Sequence, residues 1–162
     1  MNVYIETGAY VGDTLYNAEY PLKYSIEYDY NLYLYCKNRF IGDDNITMIH
    51  GDSRTVLEDL LVSMGGQSVV VIFLDASTRT TSVLIDELEL IMKHPGNYKI
   101  RFNKSNIGKM GKNGIITLEC ILELVRQSYR LVVEPPDSEI VELIQNSGSE
   151  SSVSECSSSD SL

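Results

Sequence analysis

The chain alternates between short apolar runs and longer segments in which apolar residues recur every three or four positions. Apolar runs of about four to eight residues are typical of strands, and the longer spacing is typical of helices that face a core. The pattern predicts strands over residues 3–6, 24–27, 45–50, 68–75 and 98–102, and helices over residues 13–20, 30–40, 54–64, 83–93 and 115–128. Asp13 or Thr14 is expected to cap the first helix, and Asp52 or Ser53 the third.

Strands that alternate with helices of this length predict βαβ units and a mostly parallel sheet covered by helices on both faces. The run SVVVIFLD, residues 68–75, has no polar alternation, as expected of a central strand. The last two apolar runs flank Pro135-Pro136-Asp137 and are too close for a crossover, so they predict a hairpin with one antiparallel edge strand. The expected fold class is therefore α/β, a Rossmann-like three-layer sandwich.

The C-terminal residues differ in composition from the rest of the chain. From Ser147 onward, nine of sixteen residues are serine and three are acidic. Such a segment buries too little apolar surface to offset the entropy lost on ordering. We therefore expect one folded domain over residues 1–145 and a disordered serine-rich, acidic tail over residues 146–162.

Charge and cysteine content narrow the class of protein. The formal net charge is −10, which argues against broad, nonspecific nucleic-acid binding but leaves a local basic site open. No apolar run approaches the length of a membrane span, and no leader peptide is visible at the N-terminus. Cys36, Cys120 and Cys156 are far apart and show no metal-ligand spacing. These features predict a cytoplasmic protein with reduced thiols that does not associate with membranes.

Two glycines frame the turn after the first strand, in the segment ETGAYVGD. Ligands of an open parallel sheet bind at the carboxyl ends of its strands, near the switch in strand order. Gly8 and Gly12 would let the backbone turn there and approach a ligand closely. Acids end four successive strands at the same edge, namely Glu6, Glu27, Asp52 and Asp75. The arrangement predicts a site for a nucleotide-like ligand.

The loop GAYVG favours a ligand without phosphate. It has no middle glycine of the kind that a pyrophosphate needs for close backbone approach, which disfavours a nicotinamide-dependent oxidoreductase. Glu6 precedes the loop, and its charge would repel a phosphate group. We therefore expect a ligand with a cationic centre.

Four segments carry a family resemblance. In order, IETGAYVGD, YSIEYDYNLYLYCKNRF, NITMIHGDSRTVLEDLL and VIFLDAS resemble the successive motifs of class I S-adenosylmethionine-dependent methyltransferases. The resemblance covers roughly residues 3–145 and includes the closing hairpin. It implies a Rossmann-like fold, S-adenosylmethionine as cofactor and methyl transfer as the activity.

The resemblance also implies roles for individual residues. Glu6, Gly8 and Gly12 would surround the methionine part of the cofactor. Glu27 would accept hydrogen bonds from both ribose hydroxyls, and Tyr28 would pack on the adenine.

The remaining strand-end residues complete the implied site. Asp52 would hold the adenine amino group with help from Ser53, and Asp75 would lie near the methyl group as the candidate catalytic residue. Methyl transfer relies mainly on positioning, so the site needs few catalytic groups. No metal site is expected, because Asp75 has no evident partner ligands, and His50 and His94 are expected to cap or pack.

The acceptor side is less well defined. Tyr10 and Arg79 are candidate substrate contacts. Six of the thirteen basic residues fall between Lys93 and Lys112, where no acid occurs. Four of these are candidate contacts for an anionic acceptor, such as a phosphorylated metabolite or a nucleic-acid end: Arg101, Lys104, Lys109 and Lys112. A mobile, solvated loop is the alternative interpretation.

Two functions fit the sequence. The first is S-adenosylmethionine-dependent methyl transfer to a small-molecule or anionic acceptor. The second is a catalytically inactive, methyltransferase-like binding module, with or without retained cofactor binding. The strand-end acids favour cofactor binding in either case, and the short, histidine-free segments after strands four and five favour the second.

Overall fold

The sheet is built outwards from its two central strands. The structure is a computed structural model that describes residues 2–64, 69–132 and 137–146. Its strands are β1 (Asn2–Thr7), β2 (Leu22–Glu27), β3 (Ile46–His50), β4 (Val69–Leu74), β5 (Asn97–Asn103), β6 (Met110–Gly111), β7 (Gly114–Ile115), β8 (Tyr129–Val132) and β9 (Ile140–Gln145). Its helices are α1 (Asp13–Asn17), α2 (Tyr30–Arg39), α3 (Ser53–Met64), α4 (Leu84–Lys93) and α5 (Leu118–Val125), with a 3-10 turn over Lys104–Asn106.

Seven strands form the main sheet, in the order β3-β2-β1-β4-β5-β9-β8. The first five are parallel, and the strand order reverses between β1 and β4. β9 lies between β5 and β8 and pairs antiparallel with both. The α/β class, the mostly parallel sheet and the C-terminal antiparallel hairpin are thus confirmed.

Helices cover both faces of the sheet. On one face, Leu57 of α3, Leu88 of α4 and Ile121 of α5 pack against Ile5 and Ile72 of the central strands. On the other face, a smaller cluster joins α1 and α2 to the sheet through Leu15, Cys36 and Phe40. The three layers follow from β1 and β4, whose residues are buried on both sides.

The first helix is shorter than expected and begins differently. It covers Asp13–Asn17 rather than residues 13–20, because Ala18 already has an extended backbone with ψ 117°. Gly12 is the N-cap residue, with φ 82° and no side-chain capping bond, so the prediction that Asp13 or Thr14 caps this helix is wrong. The Asp13 carboxylate instead accepts from Arg39 of α2 at 2.7 Å.

The segment before the last helix also departs from its prediction. Residues 115–117 were expected to be helical, but Gly114–Ile115 pairs with Met110–Gly111 in a short antiparallel hairpin. The helix starts at Leu118, because Thr117 caps it by accepting from the backbone N–H of Cys120. The helix ends at Val125 rather than at residue 128.

Several predictions fall on residues outside the described ranges. They include the Pro135-Pro136 part of the turn, the tail over residues 147–162, and Cys156. Within the described ranges, Cys36 is a buried free thiol and Cys120 an exposed one. None of the helices described is both long and apolar enough to cross a membrane.

Candidate functional site

A pocket of about 770 Å³ opens at the carboxyl ends of β1, β2, β3 and β4. It lies where the strand order reverses, which is the place expected for a ligand of this kind of sheet. The structure brings most of the predicted cofactor residues together there: Gly8, Glu27, Tyr28, Asp52, Ser53 and Asp75 all line this pocket. Tyr10, predicted as a substrate contact, lines it as well.

The glycine turn forms one wall of the pocket. Gly8 has φ 79°, and a Cβ atom there would lie 2.8 Å from the backbone oxygen of Asp75. Its N–H donates to the carbonyl of Ile26 at 2.9 Å, which ties the turn to the end of β2. Gly12 is also left-handed, but a Cβ on it would meet the Phe40 ring at 2.8 Å. Gly12 therefore serves the packing of α2 against the loop and does not line the pocket.

Glu27 is held from two sides by backbone groups. Its Oε2 accepts from the N–H of Tyr10 at 2.9 Å, and its Oε1 accepts from the N–H of Asp29 at 2.8 Å. The residue is 6% exposed, so the carboxylate is fixed at the pocket wall. Each oxygen keeps a second lone pair. Glu27 thus joins the glycine turn to the start of α2 and can still accept from a ligand.

Two tyrosine rings stand at the pocket with large exposed areas. Tyr10 is 68% exposed and Tyr28 is 74% exposed. Tyr10 has φ 48°, an uncommon value for a residue with a side chain. Aromatic faces with this exposure are suited to packing against a flat ring or a cation.

Asp52 is engaged by its neighbour Arg54. The guanidinium donates from Nε to Oδ1 at 3.0 Å and from Nη2 to Oδ2 at 2.6 Å, and the Arg54 N–H donates to Oδ1 at 3.0 Å. The side-chain bond from Arg54 holds the pKa of Asp52 below its usual range. Ser53, the first residue of α3, is buried at the pocket wall.

Glu6 lies behind the pocket rather than in it. It is 1% exposed and accepts from the Ser25 hydroxyl at 3.0 Å. Burial raises the pKa of Glu6 to about 8, although the bond from Ser25 opposes the rise. Burial thus opposes the charge on Glu6 that was expected to repel phosphate.

Asp75 faces the pocket at the end of β4 with two polar neighbours. The Asn106 side-chain amide donates to its Oδ1 at 3.3 Å, and the ammonium group of Lys109 lies near it, bound to the Ser77 hydroxyl at 2.7 Å. Burial raises the pKa of Asp75, while the amide of Asn106 and the charge of Lys109 oppose that rise. Lys109 is thus the basic-loop residue that the structure places beside the pocket.

The other predicted basic residues are placed differently. Arg101 lies on β5 and pairs with Glu142 of β9 at 2.6 Å, and Lys112 pairs with Glu89 of α4 at 2.5 Å. Arg79 is exposed in the turn that the Thr78–Thr81 bond closes, and Lys104 begins the 3-10 turn. None of these four lines the pocket, and acids from β9 and α4 compensate the charges of Arg101 and Lys112.

Three residues that the sequence analysis did not single out belong to the site. Asp29 lines the pocket and caps α2, Arg54 lines it beside Asp52, and Asn106 contacts Asp75 from behind. A signal existed for Asp29, since an aspartate directly before the first residue of a predicted helix commonly caps that helix. Arg54 binds the Asp52 side chain two residues before it, and Asn106 reaches Asp75 from the 3-10 turn, 31 residues later. Neither contact follows from the period of the strands.

The histidines lie apart from Asp75. His50 packs against the Tyr30 and Tyr33 rings at 5.2 and 5.3 Å, and His94 contacts Glu58 at 3.3 Å. Within residues 2–64, 69–132 and 137–146, no group of three or more histidine, cysteine or acidic side chains is arranged to hold a metal ion.

Solved structures resemble the chain in fold, whereas no protein-family model and no curated protein matches its sequence. The putative methyltransferase yhhF from Escherichia coli has a TM-score of 0.58 at 13% identity, covering 90% of this chain and 78% of that one. An S-adenosylmethionine-dependent methyltransferase from Aquifex aeolicus has a TM-score of 0.55 at 10% identity, covering 89% and 82%. The N-terminal domain of EvdMO1 with SAH (S-adenosylhomocysteine) bound has a TM-score of 0.54 at 12% identity, covering 88% and 72%.

These similarities confirm the fold that the motifs indicated. The chain has the class I S-adenosylmethionine-dependent methyltransferase fold, and its identity to these structures is too low to transfer an activity. Of these three structures, the one from Aquifex aeolicus is described as S-adenosylmethionine-dependent, and the EvdMO1 domain carries S-adenosylhomocysteine.

Proposed function

We propose that the protein is a cytoplasmic S-adenosylmethionine-dependent methyltransferase that acts on a small-molecule or anionic acceptor. The observation that carries the proposal is the setting of Glu27. Two backbone N–H groups fix its carboxylate at 2.8 and 2.9 Å, at the wall of a pocket large enough for a nucleoside. A carboxylate fixed in this way is prepared to bind a vicinal diol without reorganising.

The surrounding residues fit the rest of such a ligand. The free lone pairs of Glu27 would accept from the ribose hydroxyls, and the exposed face of Tyr28 would pack on the adenine. The backbone of Gly8 would lie against the methionine part, with Glu6 and Gly12 supporting the turn from behind. When bound, the cofactor supplies an electrophilic methyl group on a sulfonium, and Asp75 would face that positive centre.

Adenine recognition needs a further step. Arg54 uses the Asp52 oxygens that were expected to hold the adenine amino group. Binding through Asp52 would require the Arg54 guanidinium to swing away. Because Arg54 is half exposed, that movement costs little packing.

Calorimetric titration with S-adenosylmethionine and S-adenosylhomocysteine tests the proposal. We expect binding by the unmodified protein and at least about a tenfold loss in Glu27→Ala, since the variant leaves two hydroxyls unpaired. Glu19→Ala is the matched control, because Glu19 is exposed before β2, at the opposite edge of the sheet. Failure of the unmodified protein to bind either compound would contradict the proposal.

The second candidate is an inactive binding module that keeps the pocket. The Arg54–Asp52 pair favours it, because Arg54 occupies the Asp52 oxygens that were expected to hold the adenine amino group. Turnover separates the two functions. Release of S-adenosylhomocysteine in an acceptor screen supports the enzyme, and cofactor binding without release across that screen supports the module.

A further inference from the structure

A groove of about 270 Å³ lies between the β6–β7 hairpin and helices α4 and α5. Its walls include three apolar side chains, Ile85 of α4, Ile116 after β7 and Leu124 of α5. Ile85 and Ile116 belong to the buried core, which fixes this side of the groove. Among the described residues, none lines both this groove and the larger pocket. The groove is therefore a second concave site, and the proposed function does not use it.

Two large apolar side chains are exposed on the hairpin beside the groove. Met110 is 52% exposed, and Ile115, which also lines the groove, is 63% exposed. The two residues are paired directly across the hairpin, so their side chains lie on the same face of it. Exposed apolar side chains that adjoin an apolar cleft are typical of a surface that binds another protein.

Among the residues described, the charged ones that line the groove are both acidic. They are Glu89 of α4 and Glu123 of α5. Glu123 forms a loose ion pair with Arg126, at 3.7 Å between two largely exposed side chains, so its carboxylate can readily bind another cation. Glu119 lies one turn earlier on the same face of α5 and is also exposed. The groove is thus apolar in its walls and negative at its rim.

Lys112 does not cancel this negative charge. Its ammonium group lies 2.5 Å from Glu89 Oε2 and 3.6 Å from Asp86 Oδ1, so the three side chains together carry one negative charge. The ion pair also holds the Glu89 carboxylate in place beside the groove. A second copy of this chain is an unfavourable occupant, because the chain has a net charge of −10 and two such faces would repel each other.

We propose that this groove docks an arginine side chain of a partner protein, and that apolar residues next to this arginine rest on Met110 and Ile115. Arginine suits the groove better than lysine for two reasons. Its planar guanidinium has five N–H donors and can serve two carboxylates at once, and it is less strongly hydrated than an ammonium group. The proposal concerns binding alone and holds whether or not the chain transfers methyl groups.

The two ends of an arginine side chain match the two parts of the groove. Its methylene groups would pack along Ile85 and Leu124, as the stems of long basic side chains commonly do on apolar surface. Its guanidinium would donate to Glu89 and Glu123, in hydrogen bonds that the opposite charges strengthen. An acidic or purely apolar side chain would leave these two carboxylates without a partner cation.

The hairpin connects the groove to the larger pocket. Gly111 lines the groove, and the adjacent Met110 is bonded through its backbone to Thr80 at 2.8 Å and to Ser82 at 3.1 Å. Ser82 lines the larger pocket. A partner docked on Met110 would therefore contact the strand that holds one wall of the larger pocket.

Acetyl-leucyl-arginine amide is the first probe, because it joins one apolar side chain to one guanidinium. The citrulline analogue matches it in shape and lacks the charge. In an NMR titration, the arginine peptide should shift the backbone amide signals of Gly114, Ile115 and Glu123. The citrulline peptide should bind at least about fivefold more weakly, because its urea group forms hydrogen bonds without the help of charge.

Exposed substitutions separate the charge from the apolar rim. Glu123→Gln should weaken binding of the arginine peptide at least about threefold and leave binding of the citrulline peptide unchanged. Ile115→Ser should weaken binding of both peptides, since both carry the leucine. Glu19→Gln, at an exposed site before β2, is the matched control and should change neither.

Cys120 can report the electrostatic potential of the groove, because its exposed thiol lines the groove, whereas Cys36 is buried. In a Cys156→Ser background, a cationic trimethylammonioethyl methanethiosulfonate should modify Cys120 at least about threefold faster than the anionic sulfonatoethyl reagent. Both rates are divided by those with a small neutral thiol. Replacing Glu89 and Glu123 together by glutamine should remove the preference.

Three results would overturn the proposal. The first is an arginine peptide that shifts no amide of the hairpin or α5, or that binds no more tightly than the citrulline peptide. The second is a Cys120 thiol that reacts as fast with the anionic reagent as with the cationic one. The third is a dimer in sedimentation velocity that Ile115→Ser dissociates, because this face would then bind a second copy of the chain. We expect a monomer.

Discussion

The backbone N–H of Tyr10 donates to Glu27 Oε2 at 2.9 Å and so links the glycine turn to the end of β2. A second backbone donor, from Asp29, occupies the other oxygen. The two bonds tie the loop after β1 to the start of α2 through one carboxylate. The shape of the pocket wall therefore depends on this carboxylate as well as on the apolar packing around the loop.

The Tyr10–Glu27 bond can be tested without any ligand. Glu27→Gln offers one acceptor oxygen to two backbone donors, so one donor must face an amide NH2 group. We expect a loss of about 1–3 kcal/mol in local stability and at least about tenfold faster exchange of the Tyr10 amide proton. Hydrogen-exchange NMR measures the exchange rate of the Tyr10 amide proton, with Glu19→Gln as the control. Unchanged protection of Tyr10 would show that the turn is held by other contacts.

Gly8 should be far less tolerant of alanine than another left-handed glycine. Gly8→Ala combines the strained φ of 79° with a Cβ 2.8 Å from the Asp75 oxygen, whereas Gly42, with φ 89°, has no atom within 4 Å of its Cβ position. We expect Gly42→Ala to lower the free energy of unfolding by about 1 kcal/mol and Gly8→Ala by about 1–3 kcal/mol more. Chemical denaturation of both variants measures the difference, and equal losses would show that the backbone moves freely there.

Glu87 should make stability depend on pH. It is 1% exposed on α4, and neither carboxylate oxygen has a hydrogen-bonding partner within the described residues, although the Ser53 and Thr7 hydroxyls lie near enough to oppose the rise in its pKa. Burial raises the pKa of Glu87 to about 8. The folded state therefore holds a proton that the unfolded state has released between about pH 4.5 and 8, and stability should fall across that window as pH rises.

Glu87 can change the free energy of unfolding by at most about 1.4 kcal/mol per pH unit. Glu6, whose pKa burial also raises to about 8, acts in the same direction. Glu87→Gln should flatten part of the slope and raise stability at pH 8 relative to the unmodified protein. Urea denaturation at pH 5, 6.5 and 8 measures it, and a slope that stays the same in Glu87→Gln would show that the group is ionised in the fold.

The Arg101–Glu142 pair should contribute stability at neutral pH and lose it in acid. Burial alone would raise the pKa of Glu142, but the bonds from Arg101 and Lys99 outweigh it and lower that pKa. Because a lowered pKa stabilises the fold above the ordinary value, the contribution should vanish as pH falls below about 4. Arg101→Met should cost about 1 kcal/mol at pH 7, since Arg101 is partly exposed, and less at pH 3. Lys99→Met is the matched comparison. If Arg101→Met lowers the free energy of unfolding equally at pH 7 and pH 3, the electrostatic explanation is contradicted.

The parts of the site that lie at strand ends were predictable from sequence. Asp75 ends an unbroken apolar run, and Glu27 ends a shorter strand in which polar residues alternate. Parallel pairing places the ends of both strands at one edge of the sheet. Gly8 was predictable because a turn must follow β1 at once. These inferences need only the period of the strands and the rule for parallel sheets.

Contacts made by long side chains across elements were not predictable. Lys112 appeared free of acids along the sequence, yet Glu89 and Asp86 reach it from α4. Glu6 was expected to be charged, and only its depth in the sheet reveals that burial favours the neutral form. Residues 115–117 were expected to be helical because the apolar pattern of the last helix starts at Ile115. The helix starts later because Thr117 caps it.

The position of β9 has a consequence for synthesis of the chain on the ribosome. β5 has β4 on one side, but its other neighbour, β9, is made only after α5 and β8. Until then one edge of β5 is unpaired, and this strand carries residues that are buried in the finished fold, such as Ile100 and Phe102. A nascent chain that pauses before β9 is therefore exposed to edge-to-edge aggregation, and the last strand acts as the step that closes the sheet.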